Sequence, residues 1–296
     1  MKDIFSRAIT AVAALSGAVK RDVETPCATG IHIIVARGSI EKPGLGQIGV
    51  VAGNVTALVP GSTVVAVDYP ATFENYLTSE ASAASVFSTQ VAEYAARCPN
   101  TSIALLGYSQ GGQAVMDSLC GNSEAGFTPT LDLDAMFDSH VVAAVTFGDP
   151  SHTVGAPWNL GTSNKTGIFP RLNITACEPF SDQIAGWCDF GDVYCDRGNN
   201  SRTHGTYFAN YTMDAASFIV KKWMVANNVT SLYGSPNATV TTVPSSATGG
   251  AASTAASSAA TATATTVISA AGAIKPSVVA AAGWLGLAVL YMACQL

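Results

Sequence analysis

At 296 residues the chain has room for one large domain with appendages, and only 11% of it is charged, with a net charge of −6. No basic stripe exists to meet phosphates, so nucleic-acid binding is excluded. Hydrophobic residues reach 48%, but alanine in the two ends accounts for much of that, and the middle has to be judged by itself.

In chain order, Lys2 and Arg7 precede a short apolar core at Ala8–Leu15 and the small residues Ser16-Gly17-Ala18. This is the layout of a secretory signal peptide over residues 1–18, and Lys20-Arg21 marks a short dibasic propeptide at 19–21. A folded domain is expected over 22–234. It opens with the β-branched run Ile31–Ala36, a strand that stops at Arg37-Gly38-Ser39. Gln47–Val59 fits a helix, and Thr63–Val67 a second buried strand. Glu80–Ala96 fits an amphipathic helix with Thr78 or Ser79 as its N-cap.

The stretch Ser102–Gly112 is the centre of the pattern. An uncharged apolar run reads as a buried parallel strand, and helix-like residues Gln113–Leu119 follow at once. Between them Gly107-Tyr108-Ser109-Gln110-Gly111 has the Gly-x-Ser-x-Gly spacing of a nucleophile elbow. A serine on so sharp a turn needs neighbours without Cβ, and the next helix aims its N-terminal N–H groups at developing negative charge. Val141–Phe147 is a further buried strand, Ile184–Cys188 a short one, and Tyr207–Val225 the closing helix. Strands alternating with helices imply a mainly parallel sheet covered on both faces. Ligands then bind beyond the strands' carboxyl ends, where Ser39, Ser109, Asp149 and Asp192 are expected.

Residues 235–276 are rich in Ser, Thr, Ala and Gly, the composition of an O-glycosylated stalk. The uncharged run over 277–296 has no Lys or Arg after it and reads as a GPI-attachment signal, with attachment among Ser269 to Gly272. A retained membrane span is the alternative. Asn-x-Ser/Thr sequons at Asn54, Asn100, Asn164, Asn173, Asn199, Asn210, Asn228 and Asn237 agree with a secreted glycoprotein. Of the seven cysteines, Cys294 lies in the tail. Cys27, Cys98, Cys120, Cys177, Cys188 and Cys195 remain as an even set for disulfides rather than a metal site, since no Cys-x-x-Cys pair accompanies them. The close pair Cys188 and Cys195 would gain only about 2.5 kcal/mol, so its use is positional. It encloses Asp189 and Asp192.

A serine hydroxyl needs a base, and the base needs a carboxylate to hold its tautomer. Of the four histidines, His32 lies inside the first strand and His140 at the opposite end of the sheet from Ser109. His152 competes, but its acid would be Asp149 or an aspartate out of order. The chain order serine, acid, histidine favours His204. Asp189, Asp192 and Asp196 all remain open as the acid, and the two not used are expected to be solvated loop carboxylates.

Several pieces, in this order, resemble the secreted cutinase and acetylxylan esterase family: Ala36-Arg37-Gly38-Ser39, Arg97-Cys98-Pro99-Asn100-Thr101, the Ser109 elbow, Phe147-Gly148-Asp149-Pro150, Gly191-Asp192-Val193-Tyr194-Cys195 and His204-Gly205-Thr206-Tyr207. The match runs over about Cys27–Ala226. The resemblance implies a three-layer α/β-hydrolase-like sandwich around a five-stranded, mainly parallel sheet, without a large lid. It makes Ser109 the nucleophile, Asp192 the acid and His204 the base. It assigns the oxyanion donors to Ser39 and to the Gln110 N–H. It pairs Cys27 with Cys98 and Cys120 with Cys177, beside Cys188–Cys195.

No metal or organic cofactor is implied, and a monomer is expected. The expected partner is an ester on a wall polysaccharide or polyester, with the membrane reached through the GPI anchor. Asp149-Pro150, Tyr194 and the short Asp192–His204 spacing look like the acetylxylan esterase branch, and Ser39 like the cutinase branch. Short acyl or acetyl esters lead. Two rivals come from other classes, a non-catalytic surface or adhesion protein on this scaffold and a structural wall mannoprotein.

Overall fold

The computed structural model describes residues 26–129 and 140–232. The expected signal peptide and propeptide, the stalk with its attachment site, the terminal signal, Asn237 and Cys294 lie outside the described residues. Within them run β1 (Ile31–Ala36), α1 (Gly49–Leu58), β2 (Thr63–Ala66), α2 (Tyr76–Arg97), β3 (Ser102–Tyr108) and α3 (Gln110–Cys120). They are followed by β4 (Val141–Phe147), β5 (Asn159–Leu160), β6 (Ile184–Trp187), α4 (Tyr207–Asn210) and α5 (Thr212–Ala226).

The strands form one sheet in the order β2-β1-β3-β4-β6-β5, and every recorded pairing is parallel. Parallel pairing needs crossovers, which the helices supply on both faces. Alternate strand residues serve the two layers. Ile31, Ile33 and Val35 pack with Val51 and Val55 of α1 and Ile219 of α5. Ile34, Ile103 and Leu105 pack with Phe87 and Val91 of α2 and Val115 and Leu119 of α3. The three-layer α/β-hydrolase-like architecture is the one expected. The sheet has six strands rather than five, because β5 adds an edge of two residues, too short to leave a periodic pattern.

Three boundaries depart from expectation. The second helix starts at Tyr76, with Asn75 at the cap position, not at Thr78 or Ser79. Ser79 Oγ instead donates to Gln110 Oε1 at 3.1 Å and accepts from the Thr72 N–H at 3.2 Å. The elbow helix starts at Gln110, immediately after Ser109. The closing helix breaks at Tyr211, whose φ of −125° leaves the helical region.

The disulfides Cys27–Cys98, Cys120–Cys177 and Cys188–Cys195 are all formed. They belong to an oxidising, extracellular setting. Cys27–Cys98 ties the approach to β1 to the end of α2, and Cys188–Cys195 closes the short loop after β6. Under α3, Arg171 is buried with its Nη1 2.5 Å from Asp117 Oδ1 and 3.1 Å from Glu124 Oε1, and its Nη2 donates to the Gly121 carbonyl. The carboxyl ends of β1, β3, β4 and β6 share one edge, from which Ser39, Ser109, Asp149 and Asp192 all follow.

Candidate active site

Ser109 stands alone between β3 and α3 with φ 54° and ψ −121°. A non-glycine residue there is strained and persists only where its surroundings over-determine it. They do so here. The Ser109 N–H donates to the Phe147 carbonyl of β4 at 2.8 Å, and its own carbonyl accepts from the N–H groups of Gly112 and Gln113 at 2.8 and 3.1 Å. The flanking glycines are required by contact. A Cβ on Gly107 would overlap the Gly111 carbonyl, and one on Gly111 would overlap the carbonyls of Ala36 and Arg37. α3 can therefore start directly beneath the serine.

Of the open aspartates, the structure brings Asp192 to histidine. Its Oδ2 lies 2.8 Å from His204 Nδ1 and also accepts the Tyr207 hydroxyl at 2.6 Å. Its Oδ1 accepts the N–H groups of Tyr194 and Cys195 at 2.8 and 3.1 Å. Burial alone would raise the proton affinity of Asp192, but the hydrogen bonds from His204, Tyr207 and Tyr194 outweigh it and hold the carboxyl below its usual range. Asp192 is fully buried.

The expectation of solvated loop carboxylates at Asp189 and Asp196 is corrected. Both are buried acceptors that staple loops together. Asp189 Oδ1 accepts from the Thr162 N–H and hydroxyl and from the Tyr211 hydroxyl at 2.8 Å. Asp196 accepts the Ser163 hydroxyl at 2.6 Å and the N–H groups of Gly191, Asn164 and Lys165. Apart from Gly191, their donors lie far off in sequence, so local spacing carries no trace of them.

His204 sits in one turn of 3-10 helix, Thr203–Gly205. The residues beside Ser109 hold it. The Tyr108 hydroxyl donates to the His204 carbonyl at 2.8 Å, and the Tyr108 ring centroid lies 5.0 Å from the imidazole. Gly148, next to Phe147, lets the ring approach, since a Cβ there would stand 2.8 Å from His204 Cε1. His204 Nε2 is buried and has no hydrogen-bond partner among the described residues. The imidazole is thus fixed at one nitrogen by a carboxylate and has an unused nitrogen at the other.

The loop after β1 is equally well held. Arg37 donates to the Glu41 carbonyl at 2.9 Å and the Tyr69 carbonyl at 2.7 Å, and the Gly38 N–H donates to Glu41 Oε2 at 2.6 Å. The Ser39 hydroxyl is buried without a hydrogen-bond partner among the described residues. Gln110 opens α3, so its N–H has no acceptor inside the helix. Its side chain is engaged elsewhere, Nε2 donating to the carbonyls of Thr72 and Tyr76 at 3.3 Å. Only the backbone of Gln110 can therefore serve a ligand.

The profile of the cutinase family matches residues 27–223. The chain belongs to the cutinase family. Cutinase 11 of Verticillium dahliae is 34% identical over 210 residues, covering 68% of this chain and 71% of its own length. Acetylxylan esterase 2 of Talaromyces purpureogenus is 33% identical over 202 residues, covering 65% of this chain and 86% of its own. An acetylxylan esterase structure at 0.90 Å resolution is 32% identical with a TM-score of 0.63, and it covers 67% of this chain and 100% of its own. A cutinase-like protein from Cryptococcus shares the fold at 21% identity and a TM-score of 0.53. The family is one of carboxylic ester hydrolases, and this chain is an enzyme of that class.

Among the described residues, neither His32 nor His152 of this cutinase-family chain hydrogen-bonds a carboxylate. His32 stacks on Tyr94 with centroids 3.5 Å apart and pairs with the Thr63 hydroxyl. Burial, helped by Arg97, pulls it down to about 4. His152 lies after β4 beside Asp149 and Trp158, and burial pulls it down to about 4 against the opposing pull of Asp196 and Asp192. Its ring makes no recorded hydrogen bond to a carboxylate. Sequence reasoning missed two supporting groups, Tyr108 and Tyr207. Both lie within the recognised motifs, but a motif carries no sign of where a hydroxyl points.

Proposed function

We propose that this cutinase-family chain is a serine esterase that removes short acyl groups, acetyl foremost, from esterified wall polysaccharide such as acetylated xylan. The observation that carries the reading is the 2.8 Å pairing of His204 Nδ1 with Asp192, with Nε2 left buried and unpartnered beside the turn that bears Ser109. In the reaction, His204 Nε2 takes the proton of Ser109 Oγ as that oxygen attacks the ester carbonyl. The Ser39 and Gln110 donors hold the resulting oxyanion, each worth about 3 kcal/mol in related chemistry. The imidazolium then returns its proton to the departing alcohol, leaving an acyl serine. Water activated by the same nitrogen releases the acid.

The Tyr194 ring lies 4.5 Å from the His204 ring, with Phe73 stacked beyond it at 6.3 Å, and this aromatic wall supports a short acyl group. A second reading, cutinase action on longer aliphatic polyesters, is favoured by the apolar side chain of Ile40, 77% exposed beside Ser39. Residues 1–18 and 277–296 support export and a GPI anchor, which would put the enzyme at the cell's own surface. Release of p-nitrophenol from acetate, butyrate and longer esters by the purified protein tests the choice. Turnover greatest on acetate and abolished in Ser109→Ala is expected. Turnover that survives Ser109→Ala would overturn the reading, and rates rising with chain length would select the polyester alternative.

A further inference from the structure

We propose that Tyr207 is a positioning residue whose hydroxyl sets the basicity of the Asp192–His204 pair. This rests on the serine-esterase reading above and deepens it. Tyr207 is wholly buried at the start of α4, its ring stacked on Phe147 with centroids 5.7 Å apart. Its hydroxyl has one proton and two lone pairs to place. One lone pair is met by the Asp189 N–H at 3.1 Å, and the oxygen also lies 3.2 Å from Cys195 Sγ. Cys195 is in a disulfide and has no proton to give. The phenol proton therefore goes to the strongest acceptor in reach, the Asp192 carboxylate, at 2.6 Å.

The oxygen it reaches is Oδ2, the same atom that faces His204 Nδ1 at 2.8 Å. Two donors thus share one carboxylate oxygen. Charge drawn toward the phenol is charge not offered to the imidazolium, so the hydroxyl moderates how tightly Asp192 holds a protonated His204. Among the described residues the pair meets no cation that could do the same. Tyr108 and Tyr194 face the imidazole as rings, Asp189 lies beyond the Tyr207 hydroxyl, and His152 senses both Asp192 and Asp196 from a further loop. Glu41 adds negative charge behind Tyr108. Burial and the Asp192 charge push the Tyr207 phenol far above its ordinary value, so it remains a donor at every working pH.

Tyr207→Phe keeps the ring and removes only the hydroxyl. The acid limb of the kcat/KM profile on p-nitrophenyl acetate is expected to move up by about half to one pH unit, because the unshared carboxylate stabilises the imidazolium more. Plateau kcat should fall less than about tenfold, unlike loss of a catalytic group. A profile that superimposes on wild type, or drops equally at every pH, would overturn the proposal. If Tyr207→Phe fails to fold, 3-fluorotyrosine placed at position 207 keeps the shape with a more acidic phenol. The limb should then move down, and no movement would overturn the proposal. Ser109→Ala run in parallel separates the cases, since turnover that survives it would indict the serine-esterase reading rather than Tyr207.

Discussion

The α2–α3 layer holds two buried acids in contact, and their protonation can be tested through stability. Glu80 of α2 is fully buried close to Asp117 of α3, and its charge raises the proton affinity of Asp117. Neither Glu80 oxygen meets an N–H or O–H donor among the described residues. Two buried carboxylates so close repel each other, which favours one of them as the carboxylic acid and lets its proton be shared between them. Arg171 pairs with Asp117 and Glu124, and Asp149 adds a further buried acid. Burial is the largest influence on both Glu80 and Asp117 and pushes each above the usual carboxylate range.

A folded-state pKa above the unfolded one contributes stability at acid pH, and that stability is lost as pH rises through the folded-state value. One proton held only in the folded state gives a slope of about −1.4 kcal/mol per pH unit, hence about 3 kcal/mol between pH 5 and pH 7. That is a large share of the 5–15 kcal/mol typical of a domain, and it corresponds to about 6–12 °C in Tm. Glu80→Gln replaces the shared proton with a permanent amide N–H facing Asp117. Urea midpoints of wild type and variant should therefore converge or cross as pH rises, the wild type losing about 3 kcal/mol more over this window. Parallel curves from pH 5 to pH 8 would refute the shared proton.

Two further predictions concern the site. His204→Ala should lower kcat by several orders of magnitude while His152→Ala stays active in the same p-nitrophenyl acetate assay, because among the described residues His204, not His152, pairs with a carboxylate; the reverse outcome would reassign the base. Replacing Cys188 and Cys195 together by Ser should cost only about 2.5 kcal/mol in urea unfolding, yet lower kcat markedly, since the Cys195 N–H and its neighbour Tyr194 orient Asp192. Full activity in the folded double variant would show that the loop needs no staple.

Much of the architecture was legible because it follows from short-range chemistry. The β-branched and apolar runs at Ile31–Ala36, Ser102–Tyr108 and Val141–Phe147 sit at strand positions, and Gly107 is demanded by a contact with Gly111 within the same turn. What stayed hidden depends on partners distant in sequence. Ser79 looked like a helix cap but bonds Gln110, 31 residues away. Asp189 and Asp196 looked like surface groups but are buried by donors around Thr162–Lys165. The six-residue spacing that closes Cys188–Cys195 was visible; that its loop uses Asp192 while burying the other two acids was not.

The same pair of strands that strains Ser109 also seats His204. β4 offers the Phe147 carbonyl to the Ser109 N–H, and the next residue, Gly148, opens the space that the imidazole fills. β3 offers Tyr108, which grips the His204 carbonyl one residue before the turn. A change in β3–β4 register would therefore relax the strained serine and displace the imidazole together. The cost of the left-handed serine is carried by a parallel strand pair fixed in the middle of the sheet, where slippage would move the whole apolar set to the wrong face. That coupling explains why the serine and histidine, 95 residues apart in the chain, can keep a fixed relation although the histidine rides on loops. The central strands supply rigidity to both, and the loops need only present the carboxylate.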